Sequence, residues 1–124
     1  MRYHPALLRS IKDFNSGRYF EAHEALEDAL DTVEDDDTTW QLFLGLIRVA
    51  VGYHKWASGY PGAQTMLAMG LETLAPLPDK CGGVRLEALR QRVRQDLIRL
   101  NELPRGPGDH APRITLTPRP AESG

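Results

Sequence analysis

Apolar residues recur along this chain at spacings of three and four, and that period predicts five helices. The first covers about Pro5 to Phe14, with Ala6, Leu7, Ile11 and Phe14 on one side. The second runs from about Arg18 to Val33, where Tyr19, Ala22, Leu26, Leu30 and Val33 form the stripe. The third, about Thr39 to Ser58, is apolar on more than one side. Trp40, Phe43, Leu44, Ile47, Ala50, Val51 and His54 share one face, while Leu42, Leu46, Val49, Tyr53 and Trp56 cover much of the rest. A helix of this kind is central to its bundle or shared with a second subunit. The fourth takes Ala63 to Leu74 and ends at Pro76-Leu77-Pro78. The fifth, Val84 to about Glu102, carries Leu86, Leu89, Val93, Leu97 and Leu100 on one stripe.

The polar punctuation agrees with this division. Asn15-Ser16-Gly17 is turn chemistry, with Ser16 placed as an N-cap for the second helix. Asp35-Asp36-Asp37-Thr38-Thr39 is a solvated link that supplies an N-cap and negative charge where the third helix starts. The link is short, which favours an antiparallel second and third helix. Gly59 suits the residue after the third helix, and Pro61 is placed to open the fourth. Cys81-Gly82-Gly83 reads as a turn. Gly45 and Gly52, seven apart, stack on one side of the third helix. Each costs about 1 kcal/mol in a helix interior, so the pair points to close backbone approach, within the chain or across a dimer axis. From Pro104 onward the chain holds five of its nine prolines and is a poor core-former. Within it, Arg113-Ile114-Thr115-Leu116-Thr117 alternates with period two. The division is a helical domain over 1–103 and a Pro/Gly-rich tail over 104–124, flexible or extended across the body or a partner.

Composition narrows the class without naming a function. At 124 residues the chain is one domain with room for a core. Its net charge of −2 creates no global field for nucleic acid or an anionic membrane. No run is long and apolar enough to span a bilayer, since Trp40 to Val51 stops short and includes Arg48. One cysteine, Cys81, forbids an intrachain disulfide and fits a reducing cytoplasm. Residues 19–37 hold nine acids and no lysine or arginine. The fifth helix is basic through Arg90, Arg92, Arg94 and Arg99. These four do not share a face or interleave with aromatics, so they read as a solvated surface pairing with the acidic second helix rather than a phosphate-binding stripe.

The candidate chemistry lies in the second and third helices. His23 and Glu27 are four apart and therefore neighbours. By helical pitch His23 falls at the edge of the core and Glu27 at its border with solvent, while Glu24 points nearly the opposite way. His54 falls in the middle of the third helix's apolar face, and antiparallel packing would let it meet His23. Three readings follow. A structural cluster would satisfy the imidazoles with Glu27, backbone or water. A divalent metal such as zinc would use His23, Glu27 and His54, the two-imidazole, one-carboxylate ligand set of many catalytic centres. General acid–base chemistry would use His23 or His54 tuned by Glu27. The spacing is not that of the zincin HExxH motif, because Glu27 stands at its fifth position.

The run Phe14-Asn15-x-Gly17-x-Tyr19-Phe20-Glu21-Ala22-His23-Glu24-x-Leu26-Glu27 resembles the signature of a small bacterial and archaeal all-helical family, catalogued as domain of unknown function number three hundred and nine. Gly45-Leu46-Ile47-Arg48-Val49-Ala50-Val51-x-Tyr53-His54 resembles its second block. Gly59-Tyr60-Pro61-Gly62-Ala63, followed by Leu67, Leu71 and Leu74, resembles its third. The resemblance spans about residues 8–75. It implies a compact helical bundle and carries over His23, Glu24, Glu27 and His54 as the family's polar positions, with no activity attached. Leu30 stands where the resemblance expects tryptophan, and glutamines are expected near Leu44 and Arg48. An altered site with Arg48 in it would favour an anion.

The expectation is therefore an all-α bundle of four to five helices. Its leading function is that of a non-catalytic cytoplasmic binding or interaction module with a buried cluster of His23, Glu27 and His54. The alternative is a metal-dependent hydrolase-type enzyme on the same three residues, with Glu24 or Tyr19 as acid–base groups beside them. A homodimer or another protein is the expected partner. A nucleic-acid binder using the helix-five arginines ranks behind both.

Overall fold

The structure, a computed structural model, describes residues 3–103, 106–108 and 111–117. Five α-helices dominate it: α1 (Pro5–Asn15), α2 (Tyr19–Ala29), α3 (Asp37–Ser58), α4 (Ala63–Leu74) and α5 (Leu86–Arg99). A 3₁₀ segment, Leu30–Val33, continues α2. Three two-residue strands, β1 (Lys80–Cys81), β2 (Val84–Arg85) and β3 (Thr115–Leu116), form a small antiparallel sheet. The all-α expectation holds, with that sheet as a minor addition.

Helix α3 sits between α2 and α4. Asp36 caps it: its carboxylate accepts from the Thr39 backbone N–H at 3.1 Å and from the Thr39 hydroxyl at 2.8 Å. Both bonds hold the Asp36 carboxyl below its ordinary pKa. Gly59 ends the helix at φ +72°, a left-handed conformation that side chains with a Cβ rarely adopt. The glycines within α3 face α4. A Cβ on Gly45 would lie 2.4 Å from Leu74, one on Gly52 2.7 Å from Leu67, and one on Gly70 of α4 2.7 Å from Val49. Residue numbers rise along α3 as they fall along α4, so the two are antiparallel. The close approach read from Gly45 and Gly52 is thus made within the chain. Leu42, Val49 and Trp56, another face open to a dimer by sequence, are also buried within it. Helices α2 and α3 are antiparallel too: Phe20 at the start of α2 touches His54 near the end of α3.

Several local expectations need correcting. Ser16 does not cap α2. Its hydroxyl donates to the Lys12 carbonyl at 2.9 Å and so closes the end of α1, while Arg18 holds the N-cap place without a side-chain capping bond to α2. Pro61 does not open α4, which begins at Ala63 after Gly62. Val84 and Arg85 are not helical, because they pair with Lys80 and Cys81 across the Gly82-Gly83 turn, where both φ values are positive. The tail expected over 104–124 falls partly outside the described residues. Within 111–117 it lies extended on the body. Asn15 receives the backbone N–H of Ile114 at 2.7 Å and donates to its carbonyl at 3.0 Å. Ile114 is 5% exposed and joins the core.

Candidate functional site

The sequence-predicted residues do not converge as one cluster. His23 is partly buried on α2. Its Nδ1–H donates to the Phe20 carbonyl at 2.5 Å, which leaves Nε2 facing the Glu27 carboxylate at 3.9 Å. The Glu27 side chain is 64% exposed, so this pair is a surface contact worth little while the imidazole is neutral. His54 is half-buried rather than enclosed, because α2 and α4 do not close over its sector of α3. It makes no hydrogen bond to His23. The Phe20 ring instead packs against both, with centroids 4.8 Å from His23 and 5.2 Å from His54. Tyr60 packs on His54 at 5.8 Å.

Glu24 is elsewhere. It lines a charged cleft with Arg9, Lys12, Asp13, Arg18 and Glu21 on the α1 side of α2. Tyr19 turns inward, 6% exposed, and packs edge-to-face on Phe14 and at a tilt on Tyr53. Burial raises its phenol pKa, and its ring contacts are to Phe14 and Tyr53 rather than to His23. Among the described residues no three His, Cys, Asp or Glu side chains are placed to hold a metal ion. The metal set of His23, Glu27 and His54 is therefore corrected. Phe20 stands at ring-contact distance from both imidazoles, and two ligands four apart on a helix do not complete a site.

What emerges is a row of rings on the surface. Phe20 is 46% exposed and Tyr60 57% exposed, with the two imidazoles between and beside them. Phe20 was read only as part of a motif. Its signal was position: it lies three residues before His23 and off the apolar stripe of α2.

A second polar cluster is buried. Asp96, fully buried on α5, accepts from Tyr53 Oη at 2.6 Å, Arg92 Nε at 2.9 Å and Arg99 Nη1 at 3.0 Å. Burial first, then the Asp96 contact, drives the Tyr53 phenol far above its ordinary pKa. Arg90, also buried, donates to the Leu74 and Leu77 carbonyls and closes the end of α4. The helix-five arginines therefore do not form a solvated face pairing with α2. Arg90, Arg92 and Arg99 are spent inside the fold, and Arg94 meets Glu87 of its own helix at 3.8 Å. Cys81 is buried and its thiol pKa raised by that burial, which leaves it a poor nucleophile.

Residues 7–67, the span that builds α1 to the first turn of α4 and carries the whole ring row, match the family described as Domain of unknown function (DUF309). The chain belongs to that family. No curated protein matches it. The DUF309 segment ends before α5, so the ring row lies inside it while Asp96 and its arginines lie outside.

Proposed function

We propose that this DUF309 protein is a non-catalytic cytoplasmic binding module whose contact surface is the row Phe20, His23, His54 and Tyr60, bordered by Glu27. The observation that carries this is the exposure of two large aromatic rings, 46% at Phe20 and 57% at Tyr60, each holding an imidazole rather than filling the core. Rings that are apolar on their faces and flanked by polar tips are characteristic of contact surfaces. A single cysteine, buried and unpaired, fits a reducing compartment. No described helix is long and apolar enough to cross a membrane.

The test is a small-molecule and peptide panel followed by NMR of the aromatic and imidazole resonances. Binding should move Phe20, His23, His54 and Tyr60 together, and Phe20→Ala should abolish those shifts while the fold persists. Shifts confined to another surface, or unchanged binding in Phe20→Ala, would overturn the reading. A second reading, acid–base chemistry at His23, draws on the Phe20 carbonyl contact that fixes one ring nitrogen and leaves Nε2 free to accept a proton. It requires turnover of some substrate that is lost in His23→Ala and retained in Glu24→Ala.

A further inference from the structure

Most of the apolar surface of α3 is used within the chain, but one sector is left. At about 100° per residue, Trp40, Leu44, Ile47, Val51 and His54 fall within about 80° of one another. Trp40 is 37% exposed, and Leu44, Val51 and His54 are half-buried. Across a groove of about 340 Å³ from Trp40 and Leu44 stands Met69 of α4, 38% exposed. Ile47, in the middle of this sector, is buried at 7% exposure, so the apolar strip along α3 is open in two stretches, at Trp40 and Leu44 beside Met69 and at Val51 and His54 beside the ring row.

The two flanks of this strip differ in charge. On the α2 side lie exposed Glu27 and Asp31. On the α4 side lie Arg48 and Lys55, about 80° and 60° round α3 from Trp40, with Glu72 as the acid among them. Arg48 donates to the neutral Thr73 hydroxyl at 2.7 Å. Neither Arg48 nor Lys55 has a carboxylate partner among the described residues.

We propose that this strip is the interface of a homodimer, in which a second copy of the chain packs α3 on α3 about a two-fold axis running along the helix. That axis sets each acidic α2 flank against the basic α4 flank of the other copy. An axis across the helix would set acid against acid, which opposes association. A two-fold contact of this kind uses one patch twice, so a single strip with one acidic and one basic edge is sufficient. The proposal deepens the interaction-module reading by naming a partner, and it rests on that reading where the strip meets His54 and Phe20.

The experiment is sedimentation equilibrium of the full chain at low salt over a wide concentration range. The series is wild type, Leu44→Glu, Arg48→Glu, Glu27→Arg and the double charge swap, with circular dichroism confirming the fold of each. Wild type should be a dimer and Leu44→Glu a monomer. Each single reversal should weaken the dimer about tenfold, and the double swap should restore it. A wild type that is monomeric throughout, a dimer indifferent to Leu44→Glu, or a double swap no tighter than the single reversals would overturn the proposal. A monomeric wild type whose Phe20 and His54 resonances still respond to a ligand sinks the dimer alone. Ring resonances that respond neither to dilution nor to any ligand sink the module reading.

Discussion

Two regions of this molecule combine aromatic rings with ionisable side chains, and they are built oppositely. Around Asp96 every polar atom is used: two arginines and a tyrosine converge on one buried carboxylate. Around Phe20 the rings are half in solvent, and His54 has no hydrogen-bond partner among the described residues. A buried charge must be satisfied by its own chain or the fold pays a heavy desolvation cost. A surface group carries no such obligation and is free to meet something else. The Asp96 cluster is therefore read as what fastens α5 to α3, and the ring row as what faces outward.

Removing Asp96 should break this contrast most severely. Asp96→Ala leaves Tyr53 and two guanidinium groups without their shared acceptor and should cost about 3–5 kcal/mol, read as a fall in the urea midpoint. A loss below about 1 kcal/mol would put the cluster in the same class as a surface ion pair. The same cluster predicts an alkaline limit. The Tyr53 phenol pKa is raised on folding from an ordinary 10.0. Below that value both states are protonated and the contribution is intact. Above it the unfolded phenol ionises first, the unfolded state binds fewer protons, and stability declines as pH rises. Melting temperatures measured across that range should fall for wild type and fall less for Tyr53→Phe.

The contrast was half legible in the sequence. The number and rough extent of the helices, an acidic cap for α3 and a close backbone approach at Gly45 and Gly52 follow from apolar period, one acidic link and two glycines, all of them local signals, while the exact starts of α2, α4 and α5 and the helix that meets the glycines do not. Asp96 goes unremarked in the sequence because the arginines around it read as a solvated surface. Yet it stands three after Val93 and seven after Leu89, on the buried stripe, with Arg92 four before and Arg99 three after. That spacing is the signature of an acid aimed inward and clamped by its own helix. His54 failed in the opposite direction. Its angle on α3 was read correctly as apolar, but angle does not say whether a neighbouring helix covers that sector, and none does fully. The β1–β2–β3 pairing and the Asn15–Ile114 contact join residues far apart in sequence, and no local pattern encodes them.

A mid-sized effect is expected at the seam that both regions share. Gly70→Ala would place a Cβ 2.7 Å from a Val49 methyl, 3.0 Å from the Val49 backbone nitrogen and 3.2 Å from the Gly45 carbonyl. Two of these neighbours are backbone and cannot rotate away, so α3 and α4 must separate at a cost of about 1–3 kcal/mol. At Gly45 the three nearest atoms to an added Cβ belong to the Leu74 and Thr73 side chains, which can shift, so Gly45→Ala should cost less. Equal losses in the two variants would show that side-chain relaxation does not matter at this seam.

The smallest effects should come from the row that looks most like a site. Phe20→Ala removes a ring that is 46% exposed, forfeiting roughly half the burial of a core phenylalanine, about 1 kcal/mol. His23→Ala removes one imidazole bond to a backbone carbonyl that is itself near solvent, again about 1 kcal/mol. Urea denaturation of both variants beside Asp96→Ala measures the contrast directly. A loss above about 3 kcal/mol in either would mean that the row is part of what holds the fold, and its exposed rings would then need no external partner. Losses near 1 kcal/mol would leave two imidazoles and two aromatic rings held at the surface with little return in stability, and the reason for keeping them there would have to lie in what they contact.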